Sequence, residues 1–137
     1  MTNAIQNLQS AMTRAGYVRP KAGGFPYFAE CLRQAGAARN LWYLPSCQSL
    51  FVTDAGNVVC QGSPLVSGYA DIPRFDESAL IRALRADQAG DTTFPEFLEA
   101  SWQAGVVSYE VDFSARTVSY FGVAGECYVE DYPAVTV

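Results

Sequence analysis

Apolar residues recur along this chain with two alternating periods, and the alternation happens twice. In "FPYFAECLRQAG", Phe25, Phe28, Leu32 and Ala35 stand at i, i+3, i+7 and i+10; in "FPEFLEASWQAG", Phe94, Phe97, Ser101 and Ala104 repeat the spacing. That spacing gathers a mostly apolar stripe on one side of a helix, so two helices with inward faces are predicted. Thr93 followed by Glu96 reads as a capping box, Pro95 is tolerated in a first turn, and Gly36 and Gly105 supply the left-handed stop. Glu30 and Glu99 lie roughly 200° around the helix from an inward Phe and are expected on solvated faces.

After each glycine stop the period falls to two. "VVSYEVD", "TVSYF" and "CYVE" read as three strands joined by turns at "FSAR" and "GVAGE"; "AARNLWYL", "QSLFVT" and "VVC" repeat the layout around "PSC" and "DAGN". A further helix precedes each meander. In "TNAIQNLQSAMTRAG" the expected inward residues are Ile5, Leu8, Met12 and Ala15; in "DESALIRALRADQAG" they are Leu80, Ile81 and Leu84, with Asp76 as N-cap.

An ungapped offset of 94 − 25 = 69 aligns the two copies, and nine of the 36 residues from Phe25 to Cys60 are then identical. Average composition gives roughly two or three by chance. We therefore read one domain over 1–137, made of pseudo-repeats at about 1–60 and 76–131 with the Pro- and Gly-rich stretch 61–75 as connector. The expected fold class is α+β: a two-layer sandwich whose antiparallel sheet of about six strands carries its helices on one face. Neither meander alone hides both its apolar face and its edges.

Composition then narrows the chemistry. The chain has no histidine, which removes Ser-His-Asp and Cys-His catalysis and the commonest metal ligand. Its net charge is −5 and its basic residues are scattered, which argues against nucleic acid and anionic membranes as partners. No apolar run reaches the roughly 20 residues of a membrane span, and the N-terminus shows no secretory pattern, so a cytoplasmic protein is expected. The four cysteines lack C-x-x-C spacing and are expected to be reduced thiols, with Cys47 in "PSCQS" the most exposed. No cofactor or metal is expected.

What remains is a sheet with two faces. If Tyr109 faces the helices, Glu110 and Asp112 point the other way, as a solvated face or a carboxylate cluster. Strand alternation also separates Leu41 and Tyr43 from Trp42 and Leu44, and only one of those faces meets helices. Trp42, Tyr43, Glu110, Asp112 and Tyr120 are therefore the candidate binding residues, with no catalytic residue assigned. The leading reading is a non-enzymatic binding or interaction protein. Its partner is a second copy, in a homodimer, or another protein, at the second sheet face or in a groove between the repeats. The alternative is a small-molecule-handling enzyme using Cys47 or the Glu110/Asp112 face.

The stretch from Ala83 to Pro133 resembles the YbcV/YdfO-like family of small bacterial and prophage-associated proteins of unknown function, some called "phage envelope protein". Gly90, Thr93, Phe94, Phe97, "AGV" at 104–106, Tyr109, Asp112, Tyr120, Gly125 and Tyr128 carry the likeness; Phe25, Phe28, Leu32 and "LWYL" carry it more loosely. The resemblance implies a compact two-layer α/β domain and supplies no catalytic residue.

Overall fold

In a computed structural model describing residues 2–137, each helix starts where a side chain or a proline deals with its orphan backbone donors. Helix α1 (Asn3–Val18) is capped by Thr2, whose hydroxyl accepts from the Ile5 N–H at 3.3 Å. Helix α2 (Phe25–Gln34) opens on Gly24 with Pro26 in its first turn. Helix α3 (Glu77–Gln88) is capped by Asp76, which accepts from Ala79 N–H at 3.0 Å. Helix α4 (Phe94–Gln103) carries the predicted capping box: Thr93 accepts from Glu96 N–H, and the Glu96 carboxylate accepts from Thr93 N–H at 2.8 Å. Gly36 and Gly105 end α2 and α4 at φ +98° and +85°, the region where glycine carries no Cβ penalty.

The strands are β1 (Ala37–Tyr43), β2 (Gln48–Thr53), β3 (Gly56–Gln61), β4 (Ser108–Asp112), β5 (Thr117–Phe121) and β6 (Cys127–Asp131). They form one antiparallel sheet in the order β3-β2-β1-β4-β5-β6. The helix-helix-three-strand pattern thus occurs twice, and the halves meet where β1 pairs with β4, Trp42 opposite Tyr109. The bounds of α4 are those of α2 moved 69 residues along. The only non-glycine residues with positive φ among those described, Cys47 and Arg116, are separated by the same interval.

One face of the sheet carries the core. Phe51, Val111, Val118, Tyr109 and Tyr120 point inward and pack with Leu8, Leu32, Leu80, Leu84, Phe97 and Trp102 of the helices. On α1 the buried stripe is Ala4, Leu8, Ala11 and Ala15, and Met12 is exposed, contrary to expectation. Small side chains on that stripe let α1 lie close on its neighbours. Phe94 is likewise more exposed than predicted, its ring standing edge-on against Trp42 at 5.3 Å.

Glu30 corrects another expectation. Its side chain is only 12% exposed, and the Arg33 guanidinium donates to both carboxylate oxygens at 2.8 and 2.7 Å. That fork, with Gln34 as a second donor, lowers the carboxyl to about pH 2 against the cost of its burial. Glu99, by contrast, is exposed as expected.

Candidate functional site

The candidate residues fall on opposite faces of the sheet. On the helix side, Trp42, Tyr109, Tyr120 and Tyr128 are successive cross-strand neighbours on β1, β4, β5 and β6 and make a four-strand aromatic row. Trp42 stacks on Tyr109 with centroids 6.0 Å apart and rings within 3° of parallel, and Tyr109 meets Tyr120 at 5.7 Å. Burial pushes both tyrosine hydroxyls well above their ordinary range. At the end of the row Glu130 accepts from Tyr128, Gln88 and Arg85, which ties α3 to β6. Those donors lower its carboxyl in spite of the burial that opposes them.

Above the row the α1–α2 loop meets the α3–α4 loop, where Gly23 N–H donates to the Gln88 carbonyl at 2.8 Å. Asp87 sits in this seam, its carboxyl pushed up by burial while Arg19 and Thr92 pull it down. The Trp42 indole N–H and the Thr92 hydroxyl are buried without a well-formed hydrogen bond. The aromatic rings pack on one another, with Tyr120 in the core and Trp42 half-buried against it.

Cys47, expected as the exposed thiol, is buried. The turn "PSCQ" puts it in the left-handed conformation at φ 54°, and its Sγ–H points back at the Leu44 carbonyl at 3.5 Å. Burial raises the thiol, which opposes formation of the nucleophilic thiolate. All four cysteines are free, and Cys60 and Cys127 are the exposed pair. A thiol reagent is therefore expected to modify Cys60 and Cys127 rapidly in the folded protein, and Cys31 and Cys47 only on unfolding. Peptide mapping after a short labelling pulse checks the order; early modification of Cys47 would contradict it.

Among the described residues no helix lies on the far side of the sheet. Tyr43, Glu110 and Asp112 lie there, as strand alternation requires. Registers align Val59, Leu50, Leu41, Glu110, Ser119 and Val129 in one row across all six strands. Tyr43, Val52 and Phe121 flank the row. Val59 is 60% exposed, Val129 52% and Tyr43 40%. Two of the carboxylates here are already engaged: Glu110 accepts from Arg39 at 3.0 Å, and Asp112 accepts from Ser114 and Ala115 N–H, closing the β4–β5 turn. Among the described residues no three His, Cys, Asp or Glu side chains converge as metal ligands.

Sequence reasoning found Tyr43, Glu110 and Asp112 but not Leu50, Val52, Val59 or Val129. Their alternation was visible. The registers that align them with Leu41 were not.

No helix among the described residues is long and apolar enough to cross a membrane. Two mycobacterial proteins are similar to this chain along nearly its whole length. Uncharacterized protein Rv2012 of Mycobacterium tuberculosis and Uncharacterized protein Mb2035 of Mycobacterium bovis are each 52% identical to it over 135 residues, covering 98% of this chain and 82% of the relative. Residues 16–131 match the family described as Protein of unknown function (DUF1398). With 116 of its 137 residues inside that match, the chain belongs to the DUF1398 family.

Proposed function

We propose that this protein is a non-enzymatic interaction domain that binds a partner protein on the helix-free face of its sheet. The observation that carries the reading is the aligned apolar row of Val59, Leu50 and Leu41, widened by Val52 and Tyr43. Val59 and Tyr43 are exposed and Leu41, Leu50 and Val52 are half-buried between them, a continuous apolar surface of the kind that marks contact sites. Beside that row the face carries Glu110, Asp112 and Asp131 against Arg39, a net negative rim. The partner then presents an apolar strip bordered by basic side chains.

Reaction chemistry has little support in comparison, since Cys47 is buried and Glu110 and Asp112 are held by local partners. Exposed free thiols at Cys60 and Cys127 suit a reducing, cytoplasmic setting. A single interaction domain also suits the prophage-associated origin that the YbcV/YdfO-like resemblance implies.

The test is site-specific photocrosslinking in the native cell. A photoreactive residue at Tyr43 is expected to trap one discrete protein, and the double variant Leu41→Lys/Leu50→Lys to lose it while keeping its circular dichroism. The same group at the helix-layer residue Glu99 should trap nothing comparable. Equal adducts at Tyr43 and Glu99, or none at Tyr43, would remove the proposal.

A further inference from the structure

The sheet is open at β3 and at β6, and the two edges differ in charge. From Gly56 to Pro64 there is no charged residue, whereas the other edge carries Glu126, Glu130 and Asp131. Natural edge strands are commonly blunted by charge or proline; β6 is so protected and β3 is not.

Hydrogen bonding shows which main-chain groups are free. Gly62 N–H donates to the Cys47 carbonyl at 2.9 Å, and the register runs without a slip to Thr53 opposite Gly56. Because bonded and non-bonded pairs alternate in an antiparallel ladder, Cys60, Val58 and Gly56 turn their main-chain groups toward β2. Asn57, Val59 and Gln61 turn theirs outward, on a strand whose middle residue is 60% exposed.

We propose that two copies of this chain pair antiparallel through β3, about a twofold axis at Val59, joining two six-stranded sheets into one. Val59 then lies opposite Val59 of the second copy, and Asn57 opposite Gln61. This register uses all three outward residues of each strand, giving about six interchain hydrogen bonds. An axis at Val58 would pair only Asn57 with Val59 in that way. The twofold also continues the apolar row across both copies, from Leu41, Leu50 and Val59 of one to Val59, Leu50 and Leu41 of the other.

Charge selects this edge for self-association. Each copy carries a net charge of −5, so copies repel except where the contact is uncharged, and pairing through β6 would bring Glu130 and Asp131 of both copies together. The arrangement is isologous and closes at two. Two short strands bury less than the ~1,000 Å² of a standing complex, so association is concentration-dependent. The inference is independent of the partner proposed for the sheet face.

Sedimentation across a concentration series tests it, with proline at Val59 and at Val129. Both N–H groups face outward, Val129 because Gly122 N–H donates to Glu126 and sets the same alternation in β6. Neither proline therefore breaks a ladder bond within the chain. Wild type and Val129→Pro are expected to approach twice the 14.9 kDa chain mass, and Val59→Pro to stay at the chain mass throughout. Val59→Cys, in a Cys60→Ser/Cys127→Ser background, should oxidise to a covalent dimer, since cross-strand Cα atoms about 5.5 Å apart suit a disulfide. A wild type that is monomeric at millimolar concentration overturns the proposal. So does dimerisation lost in Val129→Pro and kept in Val59→Pro, or an open-ended polymer, which would mean β3 pairing with β6.

Discussion

Gly105→Ala is expected to destabilise the protein by about 2–5 kcal/mol, from about 1–2 for an L-residue held in the left-handed region plus about 1–3 for forced overpacking. Gly105 has φ +85°, and a Cβ on it would stand 2.5 Å from both the Cα and the N of Phe75. Backbone atoms cannot swing aside as a side chain does. The connector must therefore leave α4, which strains the bond from Asp76 N–H to the Ala104 carbonyl at the start of α3. Gly125→Ala is the control: φ is +86° there, but nothing lies within 4 Å of the added Cβ. Its expected cost is about 1 kcal/mol, the strain offset partly by the stiffer unfolded chain. Urea midpoints for the two variants measure the difference. Equal losses would show that backbone conformation alone governs both sites.

Stability is expected to fall steeply above pH 10, by up to about 2.7 kcal/mol per pH unit from Tyr109 and Tyr120 together, each contributing about 1.4. Burial raises both hydroxyls in the folded protein, while in the unfolded chain they ionise near the ordinary tyrosine value of about 10. Above that pH the unfolded state has released protons that the folded state keeps, so deprotonation draws the equilibrium toward unfolding. Below it both states are neutral and the contribution is intact. Tyr132, pushed up to about 12 mainly by its own burial, adds to the slope in the same direction. The double variant Tyr109→Phe/Tyr120→Phe should lose most of the dependence. Denaturation midpoints between pH 8 and 11.5 decide it, and an unchanged slope in that variant would show the two hydroxyls to be reachable by water.

Much of this fold was legible because local signals agreed with tertiary need. Period, cap and glycine stop all placed α4 between Thr93 and Gly105, and strand alternation correctly put Glu110 and Asp112 opposite Tyr109. Errors arose where one local pattern serves two packings. Ile5, Leu8 and Met12 step by three then four and Ala4, Leu8 and Ala11 by four then three, both helical, and only the closeness of the neighbouring elements selects the alanines. Cys47 sits among polar residues, yet a single left-handed residue turns its sulfur inward. The candidate site was half readable. Parity separated Tyr43 from Trp42, but the partners of each strand are fixed by turns and by the joining of the halves. For the same reason no local pattern announced Asp87, whose surroundings exist only after two distant loops dock.

The strand order has one more consequence, for how the chain finds its fold. Four of the five strand pairings join sequence neighbours across turns of a few residues, and each closes a short loop at low entropic cost. Only β1 with β4 reaches across the chain, bringing Trp42 to Tyr109. The largest single loop closure of the sheet is thus placed in one seam, so the ordering of 137 residues reduces to two locally formed meanders and a single long-range encounter.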